Sequence, residues 1–422
     1  MKNTDIAVAL CAVGAEKAVS NELRKLDFKV EDSLYGRVRF KADTAGLYKA
    51  LIGLRAADRV LLEVGLFKAT DFDALFEGAA AIEWEQFVPK GMGLKIAKVR
   101  SNRSLLKAET SIQAIVHKAA AQRLCTKYGM NRLPEQVMVV RKSKTNDKDS
   151  KADDAIKVAE VRVYIEKDTV SLLLDLSGDP LFKRGYRSEG GAAPLRETTA
   201  ASILLLSGWK RKFPIYDPFC GSGTILIEAA MYAWDMAPGL GRHFALENLL
   251  IADSKIEATI REEFRGKINF NTSENRLIRI AGSDEDVRSI SIASSNFARL
   301  HDIAQGQTPG RGIRSFDCKS LGIDLKVTPM TKAASPFDTS ADIKPKGYIL
   351  TNPPYGKRLG DQALAEQIYQ QMASLEKRFS GWKLAVITDH SGFESFYGKK
   401  ADSCREISNG AIPSYFYQYE VI

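Results

Sequence analysis

The chain has 422 residues, 45% hydrophobic and 27% charged, with 61 Lys and Arg against 52 Asp and Glu for a net charge of +9. That is an ordinary globular mixture, long enough for roughly two to four domains, and it excludes a mostly disordered, collagen-like or low-complexity chain. No run of about 18 apolar residues occurs, and residues 1–20 lack a basic start, apolar block and small-residue cleavage site, so neither a transmembrane helix nor secretion is expected and the chain is placed in the cytoplasm. The charge is uneven: residues 1–190 hold 33 basic and 26 acidic residues, residues 191–422 hold 28 and 26. A polyanion such as nucleic acid would be drawn to the first part, although solubility charge explains the same excess. Cys11, Cys125, Cys220, Cys318 and Cys404 are odd in number and never spaced as CxxC, and the four histidines show no metal spacing. No disulfide framework and no metal site are expected.

In chain order, residues 6–11 read as a strand and residues 16–26 as a helix with Ala18, Val19, Leu23 and Leu26 at helical spacing. Residues 29–41 alternate around Tyr35-Gly36, a hairpin signal. Residues 44–54 predict a second helix capped by Thr44, and residues 58–66 a further strand. The order β-α-β-β-α-β predicts a ferredoxin-like fold. A second unit follows: a helix over 71–81, a strand over 94–100, a helix over 104–128, a strand over 136–140, and a hairpin from 158–166 and 169–176 around Lys167-Asp168. Residues 141–155 are polar and charged and read as a mobile loop. The long helix carries Ile112, Ile115, Val116, Ala119 and Leu124 on one side and Lys107, Lys118, Arg123 and Lys127 on others. Residues 179–194, rich in Gly, Arg and Ser, read as a junction. Beyond it, short strands at 215–219, 277–282, 313–316, 348–350 and 384–388 alternate with helices, which predicts an open, mostly parallel sheet covered on both faces. Residues 405–422 alternate about Asn409-Gly410 and predict an antiparallel hairpin closing the sheet.

Two segments carry chemistry. Asp217-Pro218-Phe219-Cys220-Gly221-Ser222-Gly223-Thr224 joins an apolar run to a helix. A glycine turn there lets a ligand approach the backbone, and a carboxylate at the strand's end can meet a positive group. Such turns are common in α/β folds. No GKS or GKT follows, so this is not a P-loop and ATP hydrolysis is not expected. Thr351-Asn352-Pro353-Pro354-Tyr355 follows the apolar residues 348–350. Two prolines fix two φ angles, remove two donors and leave carbonyls free to accept. Asn352 adds an acceptor and Tyr355 a flat face, a combination suited to a planar base bearing an NH₂ group.

This pairing resembles the class I S-adenosylmethionine-dependent methyltransferases of exocyclic amino groups, with their (Asp/Asn)-Pro-Pro-(Tyr/Phe/Trp) motif. Further segments narrow the resemblance: Leu181-Phe182-Lys183-Arg184-Gly185-Tyr186-Arg187, Ala193-Pro194-Leu195-Arg196-Glu197-Thr198, Ile227-Glu228-Ala229-Ala230, Ala237-Pro238-Gly239-Leu240, Gly282-Ser283-Asp284 and residues 351–360. Together they resemble the THUMP-domain RNA methyltransferases, in the branch that forms N2-methylguanosine in 23S ribosomal RNA, the RlmL/YpsC-like proteins. Departures are Phe182, where many members have His, and residues 251–276 and 325–346, which read as insertions.

The resemblance implies an α/β fold: a C-terminal Rossmann-like class I methyltransferase domain over residues 195–422, with a mostly parallel seven-stranded sheet and an antiparallel last strand. Ahead of it would stand an α+β ferredoxin-like domain (1–66), a THUMP RNA-binding domain (67–178) and a linker (179–194). It implies that Asp217, Gly221, Gly223, Thr198, Asp284 and Asp317 bind S-adenosyl-L-methionine. Asp284 would meet the ribose, with Asp286 its competitor, and Asp317 the adenine. Each of these aspartates taken alone reads first as a loop residue or helix cap; only their order after successive strands, at the carboxyl edge of the sheet, favours the ligand role. Asn352, Pro353, Pro354 and Tyr355 would be catalytic: the Asn352 side chain and Pro353 carbonyl accept both N–H bonds, draw the nitrogen toward sp³ character and aim its lone pair at the methyl group, while Tyr355 stacks on the base. One displacement then yields S-adenosyl-L-homocysteine. The target base must leave its stack. Cys220 and Cys318 read as small residues beside a ligand rather than nucleophiles. The RNA partner, 23S rRNA or a ribosome precursor, would meet Lys107, Lys118, Arg123 and Lys127 on the long helix and Lys183, Arg184 and Arg187 at the junction. Alternatives are a tRNA guanine-N2 methyltransferase, an adenine-N6 nucleic-acid methyltransferase and a non-enzymatic RNA-binding assembly factor.

Overall fold

The computed structural model describes residues 5–134, 157–187, 195–270, 278–310, 316–337, 346–355, 361–410 and 412–422. The first elements are β1 (Asp5–Cys11), α1 (Glu16–Lys25), β2 (Val30–Leu34), β3 (Arg37–Ala42), α2 (Thr44–Gly53) and β4 (Ala57–Lys68). Their antiparallel order β2-β3-β1-β4 is that of the expected ferredoxin-like unit. Strand alternation sets the buried face. Ala7, Ala9, Val38, Phe40, Val60 and Leu62 point to the helices and join one core with Val19, Leu23, Leu47 and Leu51. Asp43, not Thr44, caps α2: its carboxylate accepts from the Gly46 amide at 2.8 Å.

β4 runs through residue 66 and on into the next unit, α3 (Phe72–Ala81), β5 (Gly93–Asn102), α4 (Glu109–Tyr128), β6 (Val158–Glu166) and β7 (Thr169–Asp175). One sheet of seven strands, β2-β3-β1-β4-β7-β6-β5, therefore spans both N-terminal units. Lys167 and Asp168 both take positive φ in the β6–β7 turn, as a tight hairpin requires. That turn also delays α4. The Ser104 hydroxyl accepts from the Asp168 amide and the Leu105 amide donates to the Asp168 carboxylate, so residues 104–108 are held outside the helix and Lys107 precedes it. The strand expected over 136–140 and the loop over 141–155 lie outside the described residues.

The second half contains α5 (Glu197–Leu206), β8 (Ile215–Asp217), α6 (Thr224–Ala233), α7 (Ser254–Gly266), β9 (Ile280–Asp284), α8 (Val287–Ala304), β10 (Ile323–Val327), β11 (Tyr348–Thr351), α9 (Asp361–Met372), α10 (Leu375–Arg378), β12 (Lys383–Thr388), α11 (Phe393–Tyr397), β13 (Ser403–Asn409) and β14 (Ile412–Tyr419). The strand order is β10-β9-β8-β11-β12-β14-β13, and β14 alone runs against the others. The last two strands form the expected hairpin after Asn409. The strand expected over 313–316 falls, but for Phe316, outside the described residues; the edge of this sheet is β10. Alternation again sorts the core: Ile215, Ile280, Leu350, Ile387 and Phe416 belong with Ile203, Leu226 and Phe297 of α5, α6 and α8, while Tyr216, Ala281, Ile349, Val386 and Tyr417 belong with Tyr369, Leu375 and Phe393 of α9, α10 and α11.

The two sheets are joined through buried polar contacts. The Glu22 carboxylate accepts from the Arg55 and Ala56 amides, and Arg55 donates to the Met236 carbonyl at 2.7 Å. Arg184, 3% exposed, donates to the carbonyls of Leu181 and Arg55 and pairs with Glu228 at 3.3 Å. The Gly239 amide donates to the Ile52 carbonyl at 2.9 Å, and a Cβ there would sit 2.7 Å from the Ile52 Cα, so this docking requires glycine. Val13 and Ser408 exchange two hydrogen bonds: the Val13 amide to the Ser408 hydroxyl and the Ser408 amide to the Val13 carbonyl, each 3.0 Å.

Candidate functional site

Parallel strands bring their carboxyl ends to one edge. β8 ends at Asp217, β9 at Asp284 and β11 at Thr351, and these strands are neighbours. The Thr351 hydroxyl donates to Asp217 Oδ1 at 2.6 Å, and the Phe219 amide donates to the same oxygen at 3.0 Å. Asp284 Oδ2 accepts from the Gly221 amide at 3.0 Å. Asn352 follows Thr351 directly, so the glycine turn and the Asn-Pro-Pro-Tyr segment leave adjacent strands at one edge. Gly221 and Gly223 have φ of +51° and +82°. A Cβ on Gly221 would meet nothing within 4 Å, which leaves open space beside the turn; one on Gly223 would lie 3.2 Å from Ala293 in α8.

Asp217 is 1% exposed and its donors are neutral. Burial pushes its carboxyl up to about 7, the Thr351 and Phe219 hydrogen bonds hold it down in part, and Asp284 pushes it further up. A buried carboxylate so placed is a receptor for a cation or a proton. Burial, with Asp217 and Asp284 nearby, also holds the Cys220 thiol well above its ordinary value, so it is protonated and no nucleophile. Asp286 caps α8: its carboxylate accepts from the Arg288 amide and the Ser289 hydroxyl. Asp284, not Asp286, is the acid bonded to the glycine turn.

Pro353 is buried, Pro354 exposed, and Asn352 and Tyr355 are half-buried. The Tyr355 hydroxyl donates to Asn352 Oδ1, so the oxygen expected to receive a substrate amine is engaged by the phenol. The segment is braced from behind. Tyr369 of α9 donates to the Pro354 carbonyl at 2.9 Å and lies 3.0 Å from the Thr388 hydroxyl. His390 sets its ring edge-on to Tyr369 and places Nε2 3.3 Å from Glu366. Sequence reasoning missed this brace; the signal was Asp389-His390 directly after an apolar strand, at the same sheet edge.

Other expected residues lie elsewhere. Thr198 is buried, and its hydroxyl donates to Asp58 of β4 at 2.5 Å, so it faces the N-terminal sheet rather than Asp217. Asp317 is exposed and accepts from the Lys319 amide. It precedes β10 and so sits at the amino edge of the sheet, beside Phe316, which packs on His301 near the end of α8. The expected adenine contact is therefore corrected. Arg184 is corrected too: burial and its Glu228 pair take it from any RNA surface. Arg187 donates to Thr224 at 2.9 Å and pairs with Glu197, joining the starts of α6 and α5. Arg123 clasps both Glu85 oxygens, at 3.0 and 2.8 Å. Lys107, Lys118 and Lys127 are exposed, and Lys183, also exposed, pairs with Asp179.

Residues 184–305 and 319–418 match the RMKL-like methyltransferase domain, and residues 7–61 match the RlmL ferredoxin-like domain. The Bacillus subtilis (strain 168) protein "Putative RNA methyltransferase YpsC" is 33% identical over 416 residues, 98% of this chain and 95% of that protein. A Listeria monocytogenes structure described as "a predicted N6-adenine-specific DNA methylase" is 32% identical with a TM-score of 0.79, covering 99% of this chain and 96% of that one. The structure of SMU.472 complexed with SAH is 31% identical with a TM-score of 0.78, covering 100% and 99%.

Proposed function

The chain belongs to the RMKL-like methyltransferase family, and from that premise we propose that it transfers a methyl group from S-adenosylmethionine to the exocyclic N2 of guanine in RNA, with 23S ribosomal RNA as substrate. The carrying observation is the Thr351–Asp217 hydrogen bond, which fixes the Asn-Pro-Pro-Tyr segment beside the glycine turn. The residues fit the cofactor. Asp217, buried among neutral donors, accepts from its ammonium group; the open space at Gly221 receives its chain; Asp284 accepts from its ribose hydroxyls. When bound, S-adenosylmethionine supplies an electrophilic methyl on a sulfonium.

Asn352 Oδ1 and the Pro353 carbonyl accept the two N–H bonds of the amine. The amine takes the place that the Tyr355 hydroxyl holds on Asn352, which releases the phenol ring to stack on the base. The nitrogen's proton becomes acidic once the methyl is on, so no strong base is needed before transfer. Residues 67–178 serve as the RNA-binding unit and residues 195–422 as the catalytic domain.

The test is mass spectrometry of nucleosides after incubation of the full chain with labelled S-adenosylmethionine and a 23S rRNA transcript. Label is expected in N2-methylguanosine. Label in tRNA alone, or in N6-methyladenosine, would replace the substrate; cofactor binding with no transfer to any RNA would leave an assembly factor.

A further inference from the structure

The helix-free face of the N-terminal sheet holds an excess of positive charge. Helices α1 to α4 pack on the face carrying Ala7, Val60, Leu172 and Val163. The opposite face carries Val8, Leu61 and Leu173, a small cluster joined only by Leu10 and Tyr164 and by no helical residue among those described. Beside it, where the sheet meets the second half, lie Arg59 of β4, Asp175 of β7, Arg162 of β6 and Lys98 of β5. Arg59 and Arg162 share the one Asp175 carboxylate, at 2.6 and 3.4 Å. Arg100, on the same face two residues beyond Lys98, reaches Glu109 at 3.2 Å with 58% of its side chain exposed. Lys98 is half-buried and has no acidic partner among the described residues. Four cations thus face two carboxylates. Burial and the neighbouring Arg100, Arg162 and Arg59 all disfavour the Lys98 ammonium, with only Glu109 opposing.

An unpaired ammonium among arginines is a binding site for an anion. A short run of contacts links it to the cofactor turn. Arg59 follows Asp58, which accepts from Thr198; Glu197, next to Thr198, pairs with Arg187; Arg187 donates to Thr224, the first residue after the glycine turn. We propose that Lys98, Arg100 and Arg162 hold a backbone phosphate of the RNA substrate on this face. The proposal rests on the RNA reading above.

The test uses the full chain and a 23S rRNA transcript in filter binding over a range of KCl, with Lys98→Gln, Arg100→Gln and the double variant. Titration with S-adenosylhomocysteine reports an intact fold. The double variant should bind RNA at least tenfold more weakly, with a log–log salt slope shallower by about 1 to 2, and its cofactor affinity should stay within twofold. Lys118→Gln with Lys127→Gln should bind RNA as the unaltered protein does. Should Lys98→Gln disturb cofactor binding, exposed Arg100→Gln alone decides, with at least a threefold loss expected. RNA affinity within twofold in the double variant, or a loss confined to the α4 variant, overturns the phosphate site and leaves the RNA reading standing. An unaltered protein that binds no RNA overturns both.

Discussion

Asp217 is an acid kept from water, and its protonation is legible at the bench. Burial raises its carboxyl from 3.8 to about 7. Between about pH 4 and 7 the folded protein therefore holds a proton that the unfolded chain has lost, so this group's contribution to stability falls as pH rises through that window and is lowest above 7. An ammonium ligand needs the carboxylate. Titration calorimetry with S-adenosylhomocysteine should show affinity level above pH 7 and falling toward tenfold per unit below it. Asp217→Asn should bind weakly with a flat profile; a flat profile in the unaltered protein would remove Asp217 from the ammonium site. Asn352 offers the complementary case. Asn352→Ala should lose at least a hundredfold in turnover, about 2.7 kcal/mol of transition-state stabilisation, while cofactor affinity stays within twofold. Both residues stand in contiguous motifs whose backbone chemistry is local, which is why sequence alone could single them out. Arg184 and Thr198 could not be read so, because their roles depend on Glu228, Arg55 and Asp58, far away in the chain.

At the scale of elements, α9 shows what a site requires behind it. Tyr369 fixes the carbonyl of Pro354, the residue after the proposed acceptor. Tyr369→Phe removes that bond and the one near Thr388 but keeps the ring packed among Met372 and Phe393. The expected cost is about 1 kcal/mol of stability, read as a small shift in a urea curve, with turnover down several-fold and cofactor affinity unchanged. Unchanged turnover would make the brace purely structural. Most strands were foreseen because alternation and flanking glycines are strong signals. β10 was not, because residues 323–327 are a short run whose pairing with β9 joins residues about 40 positions apart. Asp317 precedes β10 rather than following a strand of the described sheet, and an aspartate counts as a ligand only after the strand it follows is known. The cap of α2 moved by one residue for a similar reason: Asp43 and Thr44 both qualify, and the backbone angles of Asp43 decide.

At the scale of the whole molecule, the halves are bolted by charges that water does not reach. Glu228 is fully buried, its carboxyl pushed by burial up to about 7, with Arg184 and Arg55 pulling it back. Arg184→Met removes that acid's hydrogen-bonded partner and should destabilise the protein by about 3–5 kcal/mol, while Arg184→Met with Glu228→Leu should recover much of the loss. Chemical denaturation of the three proteins checks this, and equal losses in both variants would deny the pairing its role. The sharing of one sheet by residues 1–66 and 67–178 was invisible in the sequence, because β4 reads as the end of one unit and serves as the start of the next.

Synthesis proceeds from the N-terminal side, and the bonds between Val13 and Ser408 span 395 positions. At about 5–20 residues per second, roughly 20 to 80 s pass between the emergence of one partner and the other. During that interval the loop after β1 waits with its amide and carbonyl in solvent, so a nascent chain can complete the first sheet early yet close the seam between the halves only after the hairpin at residue 408 has left the translation machinery.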